Sequence, residues 1–88
     1  MNRIVYTVSD PGGIHARPAG RIVSTARQFS ADIRLILPVK DASADAKKLF
    51  AVMGLGVKKG DTIHMEAEGE DAAEAMETLR NTLMEAGV

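Results

Sequence analysis

The apolar residues of this chain change their spacing each time glycines or prolines interrupt them. That alternation between two periods limits the fold more than any other feature. In residues 3–8, Ile4, Tyr6 and Val8 alternate with Arg3, Val5 and Thr7, the two-residue period of a strand. Asp10-Pro11-Gly12-Gly13 stops the run. From Ala16 to Phe29 the period lengthens. Ala19, Ile22, Val23, Ala26 and Phe29 recur at helical spacing, with Arg17, Arg21, Ser24 and Gln28 on another stripe. Pro18 is tolerated only in a first helical turn, so the helix begins near residues 16–18 and His15 falls at or beside its N-cap.

Alternation returns at residues 32–37, with Ile33, Leu35 and Leu37 inward. Residues 38–41 read as a turn, and a short strand follows to about Ala44. Asp45 to Met53 predicts a short helix, with Asp45 as its cap and Gly54 and Gly56 ending it. After a turn at 58–61, Thr62 to Glu68 reads as a strand. Its residues Ile63, Met65 and Ala67 face in, and Thr62, His64, Glu66 and Glu68 face out. Asp71 to Ala86 predicts the last helix, with Asp71 and Glu74 in a capping-box-like start. Ala72, Met76, Leu79 and Leu83 form its apolar stripe.

The order is therefore β-α-β-β-α-β-α. So few helices cannot cover both faces of a sheet, which points to an α+β fold: an antiparallel sheet with its helices on one face. At 88 residues, residues 1–88 are expected to form a single domain. A chain of this size buries only about 60% of its unfolded surface. The aromatics are Tyr6, Phe29 and Phe50 alone, so the core must be aliphatic.

Absent cysteines remove disulfides, zinc–thiolate sites and cysteine nucleophiles together, and they fit a reducing compartment. No run of residues is long and apolar enough to cross a bilayer, so we expect a soluble cytoplasmic protein with no membrane partner. The net charge of −1 gives no electrostatic case for nucleic acid, and no aromatic platform for RNA exists. The charge is unevenly spread, however. Between Pro11 and Ala31 the charged residues are Arg17, Arg21 and Arg27, whereas Glu66, Glu68, Glu70, Asp71, Glu74, Glu77 and Glu85 make the C-terminal part acidic. The basic part suits an acidic protein partner.

The stretch DPGGIHARPAG, residues 10–20, carries the chemistry. A helix N-terminus presents unpaired N–H groups and partial positive charge, a seat for phosphate. The same field disfavours an imidazolium, so His15 is expected to serve as a nucleophile there. Gly12 and Gly13 let the backbone approach a bulky anion, and the planar fork of Arg17 suits phosphoryl oxygens. A histidine beside a helix start is most often a solvated loop residue. The surrounding glycines, arginine and proline instead favour one that takes and gives a phosphoryl group.

Other chemistries fit poorly. His15 and His64 are the only histidines and lie in no metal-ligand spacing, so no metal and no cofactor is expected. Neither a nucleophile-elbow motif nor a Gly-Lys-Ser/Thr phosphate loop is present. In the stretch 47–56, Leu49, Phe50, Val52 and Met53 cannot all face one core from so short a helix. We expect Val52 inside and Phe50 and Met53 at the surface, ringed by Lys47, Lys48 and Arg17, as a docking patch.

These residues resemble those of the histidine-containing phosphocarrier (HPr) family of the bacterial phosphoenolpyruvate-dependent sugar phosphotransferase system. Gly13-Ile14-His15-Ala16-Arg17-Pro18-Ala19 is similar to the family's active-site signature. Lys47 to Gly56 with Lys59-Gly60 resembles a second block, and Glu68-Gly69-Glu70-Asp71 also fits. The resemblance spans the chain. It implies an open-faced β-sandwich, with a four-stranded antiparallel sheet and three helices packed on one face.

The same resemblance implies a carrier rather than an enzyme. His15 would accept a phosphoryl group on Nδ1 from phosphorylated enzyme I and pass it to an enzyme IIA domain. Gly13, Ala16 and Arg17 would hold the phosphoryl group. Leu49, Phe50 and Met53 would dock the partners, with Arg21, Arg27 and Lys48 at the rim. A carrier shuttling between two proteins is expected to be a monomer.

Four positions depart from the family's pattern. Lys48 stands where many members carry a regulatory serine, which removes that modification site. Gly12 replaces a small polar residue. Gly20 replaces a better helix former, at a cost of about 1 kcal/mol. The segment between Leu37 and Lys47 is slightly longer. Two other readings fit the same residues. One is a paralogue in a nitrogen-linked or dihydroxyacetone-kinase phosphotransfer chain. The other is a non-catalytic regulatory module that binds through the Leu49–Met53 patch.

Overall fold

The computed structural model describes residues 2–88. In chain order the elements are β1 (Asn2–Thr7), α1 (Ala16–Ala26), β2 (Asp32–Leu37), β3 (Ala42–Asp45), α2 (Leu49–Gly54), β4 (Thr62–Glu68) and α3 (Ala72–Glu85). The strands form one four-stranded sheet in the order β1-β4-β2-β3, with every neighbouring pair antiparallel. Because β1 and β2 both run against β4, they are parallel to each other, and α1 is the crossover that joins them.

Register divides the sheet into a dry face and a wet one. On one face Met65 lies between Ile4 and Leu35, and Leu35 lies opposite Ala44; all four are buried. On the other face Glu66 lies between Arg3 and Arg34, and Arg34 lies opposite Asp45, so the charges alternate in sign across the strands. Arg3 Nε donates to Glu66 Oε2 at 2.7 Å. A slip of one residue would put the charged row in the core.

The helices cover the dry face, giving the α+β open-faced sandwich. α1 buries Pro18, Ala19, Ile22, Val23 and Ala26, and α3 buries Ala72, Ala75, Met76, Leu79, Thr82 and Leu83. α2 contributes Val52 alone. The two long helices also meet through polar atoms: the hydroxyls of Thr25 and Thr82 lie 3.2 Å apart, and Thr82 donates to the Thr78 carbonyl at 3.0 Å.

Local details differ from the sequence reading, each through a competing partner. α1 ends at Ala26 rather than near Phe29, because Gln28 and Phe29 bond to carbonyls only three residues back, Thr25 and Ala26. Asp45 caps no helix. It ends β3, and its carboxylate accepts from Lys47 N at 2.9 Å while Ala46 N donates to Ile33 O at 2.9 Å. This pairing holds residues 45–48 out of α2, which begins at Leu49. Asp71 stands at the start of α3, yet its side chain makes no capping bond. Its carboxylate accepts instead from Ser30 N at 2.9 Å and Ala31 N at 2.8 Å. The Ser30 amide, helped by that of Ala31 and the Ser30 hydroxyl, holds this carboxyl below its usual range despite some desolvation. His64 and Glu66 lie on the outer face as the alternation requires, but they are half-buried, since β4 is flanked on both sides by strands.

Candidate functional site

The segment between β1 and α1 is tied down along its length. Val8 continues the ladder, with Val8 N donating to Asp61 O at 2.9 Å and Gly60 N to Val8 O at 2.7 Å. Ser9 N and Asp10 N both donate to the Val88 carbonyl, at 2.6 and 3.2 Å. Gly13 N bonds to Asp10 O at 2.8 Å, and Ile14 N to Val57 O at 3.1 Å. Gly13 adopts φ +64°, in the left-handed region, and a Cβ there would lie 2.1 Å from Val57 O. Ile14 enters the core at 4% exposure, which turns the next residue outward.

That residue is His15, at the N-cap of α1 with φ −90° and ψ −168° and its side chain half-exposed. The first intrahelical bond is from Ala19 N to His15 O, at 3.0 Å. Pro18 has no N–H to offer. The amides of Ala16 and Arg17 have no acceptor among the described residues, and the first turn holds neither an acidic residue nor a side-chain cap. Two open N–H groups and the positive end of α1 therefore stand beside the imidazole.

The ring has a defined orientation. Its Cδ2–Nε2 edge lies over Gly12, where a Cβ would be 2.7 Å from Cδ2 and 3.1 Å from Nε2. Nε2 faces Asp10 Oδ2 at 3.6 Å. Nδ1 belongs to the opposite edge of the ring, away from that carboxylate. Gly12 thus makes room for the imidazole itself, beyond freeing the turn.

Arg17 is exposed and lines a shallow depression with Ala16, Gly20, Arg21 and Glu85. No ion pair holds it among the described residues, whereas Arg21 Nη2 lies 3.7 Å from Glu85 Oε1. Between α1 and α2 runs an open groove of about 760 Å³ lined by Arg27, Lys48, Leu49 and Phe50, with Gly20 and Ser24 among its other residues. Phe50 is 82% exposed while Val52 is fully buried, as the short-helix argument requires. Met53, expected at the surface, is half-buried against the core. Arg27 is already engaged, with Nε donating to Lys47 O at 2.8 Å.

The structure thus brings His15, Gly13 and the Ala16 and Arg17 amides together, and separately Arg27, Lys48, Leu49 and Phe50. It sets Arg21 and Met53 apart from the groove's lining. Sequence reasoning missed Asp10 as a neighbour of His15, the Val57 carbonyl, and the floor made by Gly20 and Ser24. The small residues Gly20 and Ser24, one helical turn apart, were the available signal for that floor. No group of three or more His, Cys, Asp or Glu among the described residues could hold a metal ion. No helix there is long and apolar enough to cross a membrane.

Residues 3–85 match the family model described as "PTS HPr component phosphorylation site". The chain is 41% identical over 83 residues to the phosphocarrier protein HPr of Haloferax volcanii, covering 94% of this chain and 92% of that protein. It is 44% identical over 78 residues to a multiphosphoryl transfer protein of Xanthomonas campestris pv. campestris, covering 89% of this chain but 9% of that much longer protein. Among solved structures, a histidine-containing phosphocarrier protein from a mycoplasma superposes with a TM-score of 0.94 at 28% identity, over 98% of this chain and 96% of its own.

Proposed function

The chain belongs to the HPr family of phosphocarrier proteins of the phosphotransferase system, and on that premise we propose that His15 is its phosphoryl acceptor. It accepts the group on Nδ1 from phosphorylated enzyme I, itself charged by phosphoenolpyruvate, and passes it to an enzyme IIA domain in sugar uptake. The single observation that carries this reading is the exposed His15 imidazole at an α1 N-terminus whose Ala16 and Arg17 amides are unpaired among the described residues.

Nδ1 attacks phosphorus in line with the donor nitrogen. The phosphorus–donor bond breaks, and its electron pair returns to the donor ring. The Ala16 and Arg17 N–H groups and the Arg17 guanidinium carry the charge on the phosphoryl oxygens. Gly13 sets the tight turn against Val57 that presents His15 to the phosphoryl group. Leu49, Phe50 and Met53 supply apolar contact for the partners, and Arg21, Arg27 and Lys48 supply complementary charge at its edge.

Intact mass after incubation with phosphoenolpyruvate and enzyme I tests the reading. Wild type should gain one acid-labile phosphate and His15→Ala none. A wild type that stays unlabelled beside a labelled control carrier would overturn it.

A further inference from the structure

Resting on the phosphocarrier reading, we propose that Asp10 is a positioning residue that orients the His15 ring and keeps its proton on Nε2. The Asp10 main chain is held at both ends: its N–H donates to Val88 O at 3.2 Å, and its carbonyl accepts from Gly13 N at 2.8 Å. One carboxylate oxygen, Oδ1, accepts from Gly12 N at 3.0 Å. These bonds leave Oδ2 directed at His15 Nε2, 3.6 Å away. Gly12 completes the seat, since any Cβ there would press on the same edge of the ring.

A neutral imidazole carries one proton, and an acceptor at one nitrogen selects the tautomer with the proton there. With the proton on Nε2 facing Asp10, the lone pair is on Nδ1, where the phosphoryl group bonds. When the Nδ1–P bond forms, Nε2 keeps its proton and the ring becomes positive. The Asp10 carboxylate then faces that positive charge across the same gap. When the group departs, the electron pair of the Nδ1–P bond returns to Nδ1 and the starting tautomer is restored.

The test is the imidazole ¹⁵N chemical shifts of His15 in its neutral form, for wild type, Asp10→Asn and Asp10→Glu, beside the rate of phosphorylation by enzyme I. Wild type should be mostly protonated on Nε2. In Asp10→Asn the side-chain amide can donate to Nε2, so the Nδ1-protonated tautomer should grow and phosphorylation should slow by about tenfold or more. Asp10→Glu should restore part of both.

If Asp10→Asn fails to fold, Gly12→Ala moves the ring off the carboxylate and should give the same tautomer change. An unchanged tautomer ratio in the variant that folds, or a wild-type phosphorylation rate in it, overturns the proposal. An unlabelled wild type would sink the phosphocarrier reading instead, and the tautomer ratio would still decide the role of Asp10.

Discussion

The Val57 carbonyl oxygen occupies the space that a side chain at Gly13 would need: a Cβ built there lies 2.1 Å from it. The same oxygen accepts from Ile14 N, so it cannot move without releasing the loop that carries His15. Gly13→Ala therefore combines a clash with backbone and a left-handed φ. It should destabilise the protein by about 1–3 kcal/mol in urea unfolding. It should also slow phosphoryl uptake beyond what the lost stability explains. An alanine variant of wild-type stability would show that the contact is not tight.

Gly20 behaves in the opposite way. It sits inside α1, and nothing lies within 4 Å of a Cβ placed there. Gly20→Ala should stabilise the protein by about 0.5–1 kcal/mol, through a smaller loss of chain entropy. Calorimetry should show a higher Tm. Because Gly20 also lines the groove between α1 and α2, slower transfer from this more stable variant would assign the groove to docking.

Phe50 is a large apolar side chain with little to do in the folded protein alone, at 82% exposure. Phe50→Ala should leave stability within about 0.5 kcal/mol of wild type. If Phe50 docks partners, the variant should raise KM in transfer assays with enzyme I and leave the chemistry at His15 intact. A large drop in Tm would instead make Phe50 structural.

Asp71 ties the start of α3 to the segment before β2. Its carboxyl is held below the usual carboxylate range, first by the Ser30 amide. The native state therefore binds fewer protons than the unfolded chain in this range. The stabilisation is present above the unfolded pKa and is lost as pH falls through the lower folded one. Asp71→Asn should have a lower Tm than wild type at neutral pH, and the gap should close in acid. A gap independent of pH would assign the effect to packing.

Much of this architecture was legible in the order of residues. The period changes separated strands from helices, and Pro18 placed the start of α1 and with it the position of His15. Those features are local: steric limits on proline and the spacing of apolar residues act within a few positions. Where polar residues had a choice, local rules chose wrongly. Asp45 and Asp71 both read as helix caps. The fold gives Asp45 to a turn after β3, and Asp71 to amides 40 and 41 positions away in the chain.

By itself, then, the sequence determined the elements, the aliphatic core and the motif around His15, because each depends on neighbours close in the chain. Only the tertiary structure decided which groups meet. It placed the Val57 carbonyl under Gly13, Val88 against Ser9 and Asp10, and Asp10 beside the His15 ring. Hydrogen bonds and close contacts between distant segments depend on how α1, α3 and the loop before β4 pack together, and no local pattern encodes that packing.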